Sequence, residues 1–234
     1  MRKMGAMGGG IRSQGNRNLT RFPKVFFRAG GARQGTAVQS IGTGVSVMSQ
    51  LNDYLAAKKE SLEQREEERK RVANQPSDVL KAKVRAKDRS GVREIRIRNF
   101  QILSDSLPDF AGFDLGPNSA EIQLGVLGSC LTHITLIQAA LRGVPLESLE
   151  VEVEGELHKF AGKDGYEEIP FWPHNIRYTL HIESAASKEE IAELHRGVEE
   201  VCPILNLLQR PQEITGKVLH SSGSGEAGEV TVGS

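Results

Sequence analysis

Cysteine is scarce in this sequence: Cys130 and Cys202 are the only two among 234 residues. Two thiols make no disulfide framework of the kind that small secreted domains use in place of a core. In a reducing compartment a lone pair signals redox or metal chemistry instead. Aromatics are sparse too, at 5% of the chain. Charge of neither sign prevails, with 30 basic and 30 acidic residues, so the whole chain sets up no field for nucleic acid or an anionic membrane. No internal repeat is visible, and no short apolar core precedes a small-residue cleavage site, so a secretory leader is not expected. The longest uncharged stretch, Ile122–Leu141, carries Gln123, Ser129, Thr132, His133, Thr135 and Gln138. So many polar groups do not suit a lipid-facing helix. A soluble protein is expected, with neither nucleic acid nor membrane as partner.

Acidic residues are absent from positions 1–52, which hold eight basic ones and many glycines. Without a sustained apolar period this leader, residues 1–47, is not expected to fold alone. It reads either as an organellar transit segment, which places the protein in the mitochondrial matrix, or as sequence ahead of a true start at Met48. The second account is preferred and implies the cytoplasm. Residues 48–75 read as a charged helical arm with a short apolar stripe (Leu51, Tyr54, Leu55, Leu62) and Glu66/Lys70 and Glu67/Arg71 at supportive spacing. Pro76 ends it. Residues 221–234 are rich in Gly and Ser and read as a flexible tail.

What remains, residues 76–220, reads as one α+β domain. Leu80, Ala82, Val84 and Ala86 alternate with charged residues, the period of a half-buried strand. Turn residues 88–91 lead to a second strand over Val92–Phe100. Leu149–Leu157 and Ile176–Ile182 alternate in the same way, and a last strand is expected over Gln212–Leu219. Such alternation implies antiparallel strands with one wet face. The basic strand and the glutamate-rich strand 150–156 offer partners for cross-strand ion pairs. Between the strand pairs, Asn118 with Glu121 three residues on makes a capping box for a helix over 118–141 that is apolar nearly all round. Such a helix must be covered on every side. One small sheet and one further helix do not suffice, so a homodimer is expected. That further helix is Lys188–Val201, opened by Ser187 and Glu190.

Cys130 lies midway along the buried helix, where a cysteine is most often an inert small hydrophobe. Cys202 precedes Pro203 at the start of a short turn, which places its sulfur near free backbone N–H groups that favour a thiolate. The two helices are the ones expected to pack together, and thiols on packed helices can form a dithiol–disulfide couple. His133, three residues after Cys130, opens a rival reading in which Cys130, His133 and Cys202 hold a metal. His133 can also tune Cys130 with no metal, or simply hydrogen-bond to a neighbour. Phe171-Trp172-Pro173 reads as packing under a loop or as a hydrophobic substrate mouth.

The runs Gly116-Pro117-Asn118-Ser119-Ala120-Glu121, Leu124-Gly125-Val126-Leu127-Gly128-Ser129-Cys130 and Val201-Cys202-Pro203, with VPLESLEVEVEGEL between them, resemble the OsmC/Ohr family of thiol peroxidases and their relatives. The resemblance spans roughly residues 78–219. It implies a curved antiparallel sheet around a buried central helix pair, built as an intertwined homodimer. It further implies a thiol-dependent peroxidase that reduces organic hydroperoxides without a cofactor. Cys130 matches the attacking cysteine and Cys202 the resolving one, and an external dithiol restores both. The family's thiolate-stabilising arginine matches Arg89, with Arg93 as rival, and the acid holding it matches Glu121. Glu121 stands nine residues before Cys130 where the family's peroxidases have ten, which turns it to the other side of a straight helix. It therefore reads either as a helix cap or as a residue serving the other subunit's site. The alternative reading is a non-catalytic dimeric binding protein with the same fold.

Overall fold

The computed structural model describes residues 50–72, 74–221 and 227–230. All of them belong to the second of two compact units, Ser46–Ser234. The leader 1–47, Met48, Ser49, and residues 222–226 and 231–234 of the tail lie outside the described residues.

One helix in the middle of the sequence organises the rest. Leu127, Leu131 and Ile134 lie at three- and four-residue spacing and are at most 9% exposed, which is one face of the helix α2, Ser119–Arg142. Asn118 caps it: its side chain accepts from the N–H groups of Ala120 and Glu121, and Glu121 reaches back to the Asn118 N–H at 2.7 Å. Gly143, in the left-handed conformation, ends it. By length and composition α2 is apolar enough to cross a membrane; here other elements pack on it.

Those elements arrive in order. The helix α1, Gln50–Arg71, lays Leu51, Leu55 and Leu62 on a first apolar cluster built from Ala139, Ala140, Val144, Leu146 and Leu194. Asn52 Oδ1 accepts the Leu146 N–H at 2.8 Å and fixes this end of α1. The charged remainder of α1 stays in water, as its short stripe predicts. The antiparallel pair β4, Ser148–Glu156, and β5, His174–Glu183, presents Val151, Val153 and Tyr178 to a second cluster of Leu127, Leu131, Ile134, Val198, Cys202 and Leu205. A Cβ on Gly128 would sit 3.2 Å from Val153 Cγ2, so the bare glycine lets β4 close on α2. The glutamates alternate outward, and Glu154 pairs with Arg177 across the sheet. Helix α3, Lys188–Val201, is capped by the Ser187–Glu190 box. Helix α4, Pro203–Gln209, follows after a single residue, Cys202.

The N-terminal strands differ from their expectation. The segment 92–100 is not one strand: β1, Lys83–Ala86, pairs with β2, Arg93–Ile97, and β2 pairs with β3, Phe100–Ser104. The extra reversal sits at Arg98–Asn99, with Arg98 at φ 53°. β1 is exposed on both faces rather than half-buried, and Val84, Ile97, Phe100 and Ile102 stay 40–62% exposed. At the C-terminus the strand expected over Gln212–Leu219 begins later, as β6, Val218–Ser221. It pairs with β7, Ala227–Val230, inside the segment read as a tail. The result is an α+β fold of small antiparallel sheets and four helices, with β4 packed on α2.

Candidate functional site

The second apolar cluster contains both thiols. Cys202 is 0% exposed and Cys130 half-buried, and their sulfurs lie 3.5 Å apart. Two elements bring them together. α2 carries Cys130 one residue before Leu131, at the edge of its packed face. α3 and α4 both terminate at Cys202, which is the C-cap of one and the N-cap of the other. Pro203 enforces that break because it has no N–H for a continuing helix.

Both thiols are unbonded. Burial pushes the Cys130 thiol above its ordinary value, the Ile204 N–H opposes this, and Cys202 adds to the rise. The sequence assigned the free N–H groups of the turn after Pro203 to Cys202. In the structure one of them, from Ile204, serves Cys130 instead. Cys202 makes no side-chain cap bond, because its sulfur turns inward to the cluster.

Beside the pair stands a polar group that sequence reasoning did not find. Tyr178 packs on the cysteine cluster, and its hydroxyl donates to Glu199 Oε1 at 2.8 Å and lies 3.2 Å from His195 Nε2. Burial first, then the Glu199 carboxylate, raises the phenol far above its usual range, so it remains a donor. Tyr178 read only as one apolar position of a strand, and His195 and Glu199 are 17 and 21 residues away in sequence, a distance no local pattern bridges.

The remaining sequence candidates stand apart from the sulfurs. Glu121 is exposed and engaged in the capping box. Arg89 lies in the exposed turn between β1 and β2, and among the described residues it forms no ion pair with Glu121. Its rival Arg93 is half-buried and donates to Gly91 O, Ser104 Oγ and Asp105 O at 2.9–3.0 Å. His133 is exposed, and among the described residues no group of three or more His, Cys, Asp or Glu side chains is gathered to hold a metal. Phe171 and Pro173 line a cavity of about 1170 Å³ together with Arg93, Phe110, Lys159 and Phe160; Trp172 does not.

Chemically, two thiols at this distance on packed helices can interconvert between dithiol and disulfide with small local motion. Residues 112–217 match the family model described as OsmC-like protein. Curated proteins give no match. An OsmC-like protein from Mycoplasma pneumoniae has a similar structure, with 20% identity, a TM-score of 0.50, and coverage of 57% of this chain and 89% of that one. An organic hydroperoxide resistance protein OsmC from Legionella pneumophila is 18% identical over 58% of this chain and 92% of its own, with a TM-score of 0.43. The matched residues hold α2, β4, β5, α3, α4 and both cysteines, and over that stretch the chain is similar to OsmC-like proteins.

Proposed function

We propose that this protein is a thiol-dependent peroxidase that reduces organic hydroperoxides through a Cys130/Cys202 dithiol–disulfide cycle. The observation that carries the reading is the 3.5 Å between the two sulfurs. Cys130, the more accessible thiol, attacks the distal oxygen as thiolate. The O–O bond breaks, the alcohol leaves, and a sulfenic acid remains on Cys130. Cys202 then condenses with it, and an external dithiol reduces the disulfide. The apolar surround of Leu127, Leu131, Ile134 and Leu205 favours bulky hydroperoxides over hydrogen peroxide.

The active unit of this proposal is a homodimer in which a curved sheet closes around the central helices. Two observations support it. One side of α2 is uncovered, with Gly125, Val126, Ser129 and His133 exposed. The three-stranded sheet β1–β3 likewise leaves Val84, Ile97, Phe100 and Ile102 in water. A second copy would cover both. It would also solve an electrostatic problem, because within one chain Cys130 is held toward its neutral form. The partner subunit's Arg89, on its exposed turn, would supply the cation that a thiolate needs, with Glu121 of either chain to orient it.

The experiment is loss of cumene hydroperoxide in the presence of a dithiol reductant, comparing wild type with Cys130→Ser. Turnover that disappears with Cys130 supports the reading. Equal inertness of both proteins, with the two thiols shown reduced by titration, would falsify it. The second reading, a non-catalytic binding protein, would then stand, and the raised Cys130 thiol favours it.

A further inference from the structure

Pro203 removes one hydrogen bond that the chain then restores by other means. In a continuous helix the N–H of residue 203 would donate to the carbonyl of Glu199, and proline has no such donor. Asn206 Nδ2 takes its place, donating to Glu199 O at 3.0 Å. The same amide donates to Cys202 O at 2.9 Å and approaches Glu200 O at 3.5 Å. Cys202 O also accepts the backbone N–H of Asn206 at 3.0 Å, and the Cys202 N–H donates to Val198 O at 2.9 Å. One side-chain amide therefore ties the last turn of α3 to the first turn of α4 across the residue where they meet. From the other side, the Tyr178 hydroxyl holds the Glu199 carboxylate of the same turn against β5.

The joint so fastened is Cys202, at φ −66° and ψ 111°. These angles are extended rather than helical, and they turn the side chain into the cluster instead of along the helix surface. Its amide and its carbonyl are both bonded, so the direction of its Cα–Cβ bond is set by the main chain. The sulfur then has little freedom left except rotation about that bond.

We propose that Asn206 is a positioning residue for disulfide closure: it holds the α3–α4 joint so that the Cys202 sulfur faces Cys130. The inference rests on the dithiol–disulfide reading above and concerns its second step. In that step the Cys202 sulfur forms the S–S bond with the sulfenic sulfur of Cys130, and the S–O bond breaks. The leaving hydroxide takes up the proton released by the Cys202 thiol and departs as water. Cys202 is oxidised and the sulfenic sulfur is reduced. Only the approach of the two sulfurs depends on Asn206, because the amide touches neither of them.

The test uses Asn206→Asp, which keeps the shape but replaces the donor with a carboxylate that repels the carbonyls, and Asn206→Ala, which removes the donor without adding charge. In a first arm, one equivalent of cumene hydroperoxide is added with dimedone as sulfenic-acid trap, and both the Cys130 adduct and the disulfide are followed by mass spectrometry. In a second arm, diamide oxidises the thiols with no peroxide present. Displacement of a reacting group by about 1 Å costs up to a hundredfold in rate, so closure is expected to slow roughly tenfold or more in both arms. In the first arm the Cys130 adduct accumulates while peroxide loss in the first turnover is not slowed by the same factor. A uniform loss of both steps that tracks the unfolding midpoint would mean a merely structural role and overturn the proposal. So would closure at the wild-type rate in both variants. If wild type consumes no peroxide but the variants close slowly under diamide, the peroxidase reading fails and the positioning role stands. If peroxide is consumed and the variants close normally, the reverse holds.

Discussion

Oxidation of this protein should make it harder to unfold, by an amount the chain itself sets. The two cysteines are 72 residues apart. A bond between them confines the unfolded chain to a loop of that length, which in the chain-entropy account stabilises the folded state by roughly 4 kcal/mol. The folded state loses part of this, because the sulfurs must move from 3.5 Å to about 2.0 Å and the α3–α4 joint moves with them. At about 2–4 °C per kcal/mol for a chain of this size, the upper bound on the rise in Tm is roughly 8–16 °C. The assay is urea and thermal unfolding of protein oxidised with diamide, against protein kept in dithiol, at one fixed protein concentration. Cys130→Ser, treated alike, is expected to show no shift. Two results refute the reasoning: equal midpoints when mass spectrometry shows the intramolecular bond complete, or a bond that forms only between chains.

Other perturbations follow from the same geometry. With Arg89→Ala, the pH profile of Cys130 alkylation is expected to move to higher pH, since burial then acts on the thiol with no cation against it; an unchanged profile removes Arg89 from the site. Asp105 is 1% exposed, and its carboxyl is held below the usual range by the Ser106 N–H, against burial, with the Phe113 and Leu115 N–H groups and Arg93 adding to the effect. Its folded value is the lower one, so the stability it contributes is present above the ordinary value of about 3.9 and is lost as pH falls through the folded value. Asp105→Asn should flatten the acid limb of a urea-midpoint against pH curve, and an unaltered limb would contradict this. Leu131→Ala removes a fully buried side chain beside Cys130 and is expected to cost about 2–5 kcal/mol in urea unfolding; a loss below 1 kcal/mol would show that the cluster collapses around the gap.

The helices were legible because their ends are written locally. Asn118 with Glu121 and Ser187 with Glu190 mark two N-termini to the residue, since each box is closed within four positions. Alternation likewise gave β4 and β5. The turn at Arg98–Asn99 was not legible, because neither residue is the glycine that usually marks so tight a reversal. β1 has the pattern of a half-buried strand, yet among the described residues no element covers it, and a pattern alone does not say what does. At the candidate site the sequence pointed to the cysteine pair through the helices that carry it. It could not show which sulfur the Ile204 N–H serves, nor that an amide three residues past a proline replaces the missing donor. Those depend on side-chain directions at a joint, and only coordinates fix them.

The two apolar clusters are strung along one 24-residue helix, a rod of about 36 Å. The C-terminal end is sealed by α1 and the segment entering β4; the thiols and their cluster sit at mid-length. The rod thus has a mechanical end and a chemical middle, with separate packing around each. A change at the thiols, such as oxidation of a sulfur or a shifted α4, therefore leaves the packing between α1 and the far end of α2 in place.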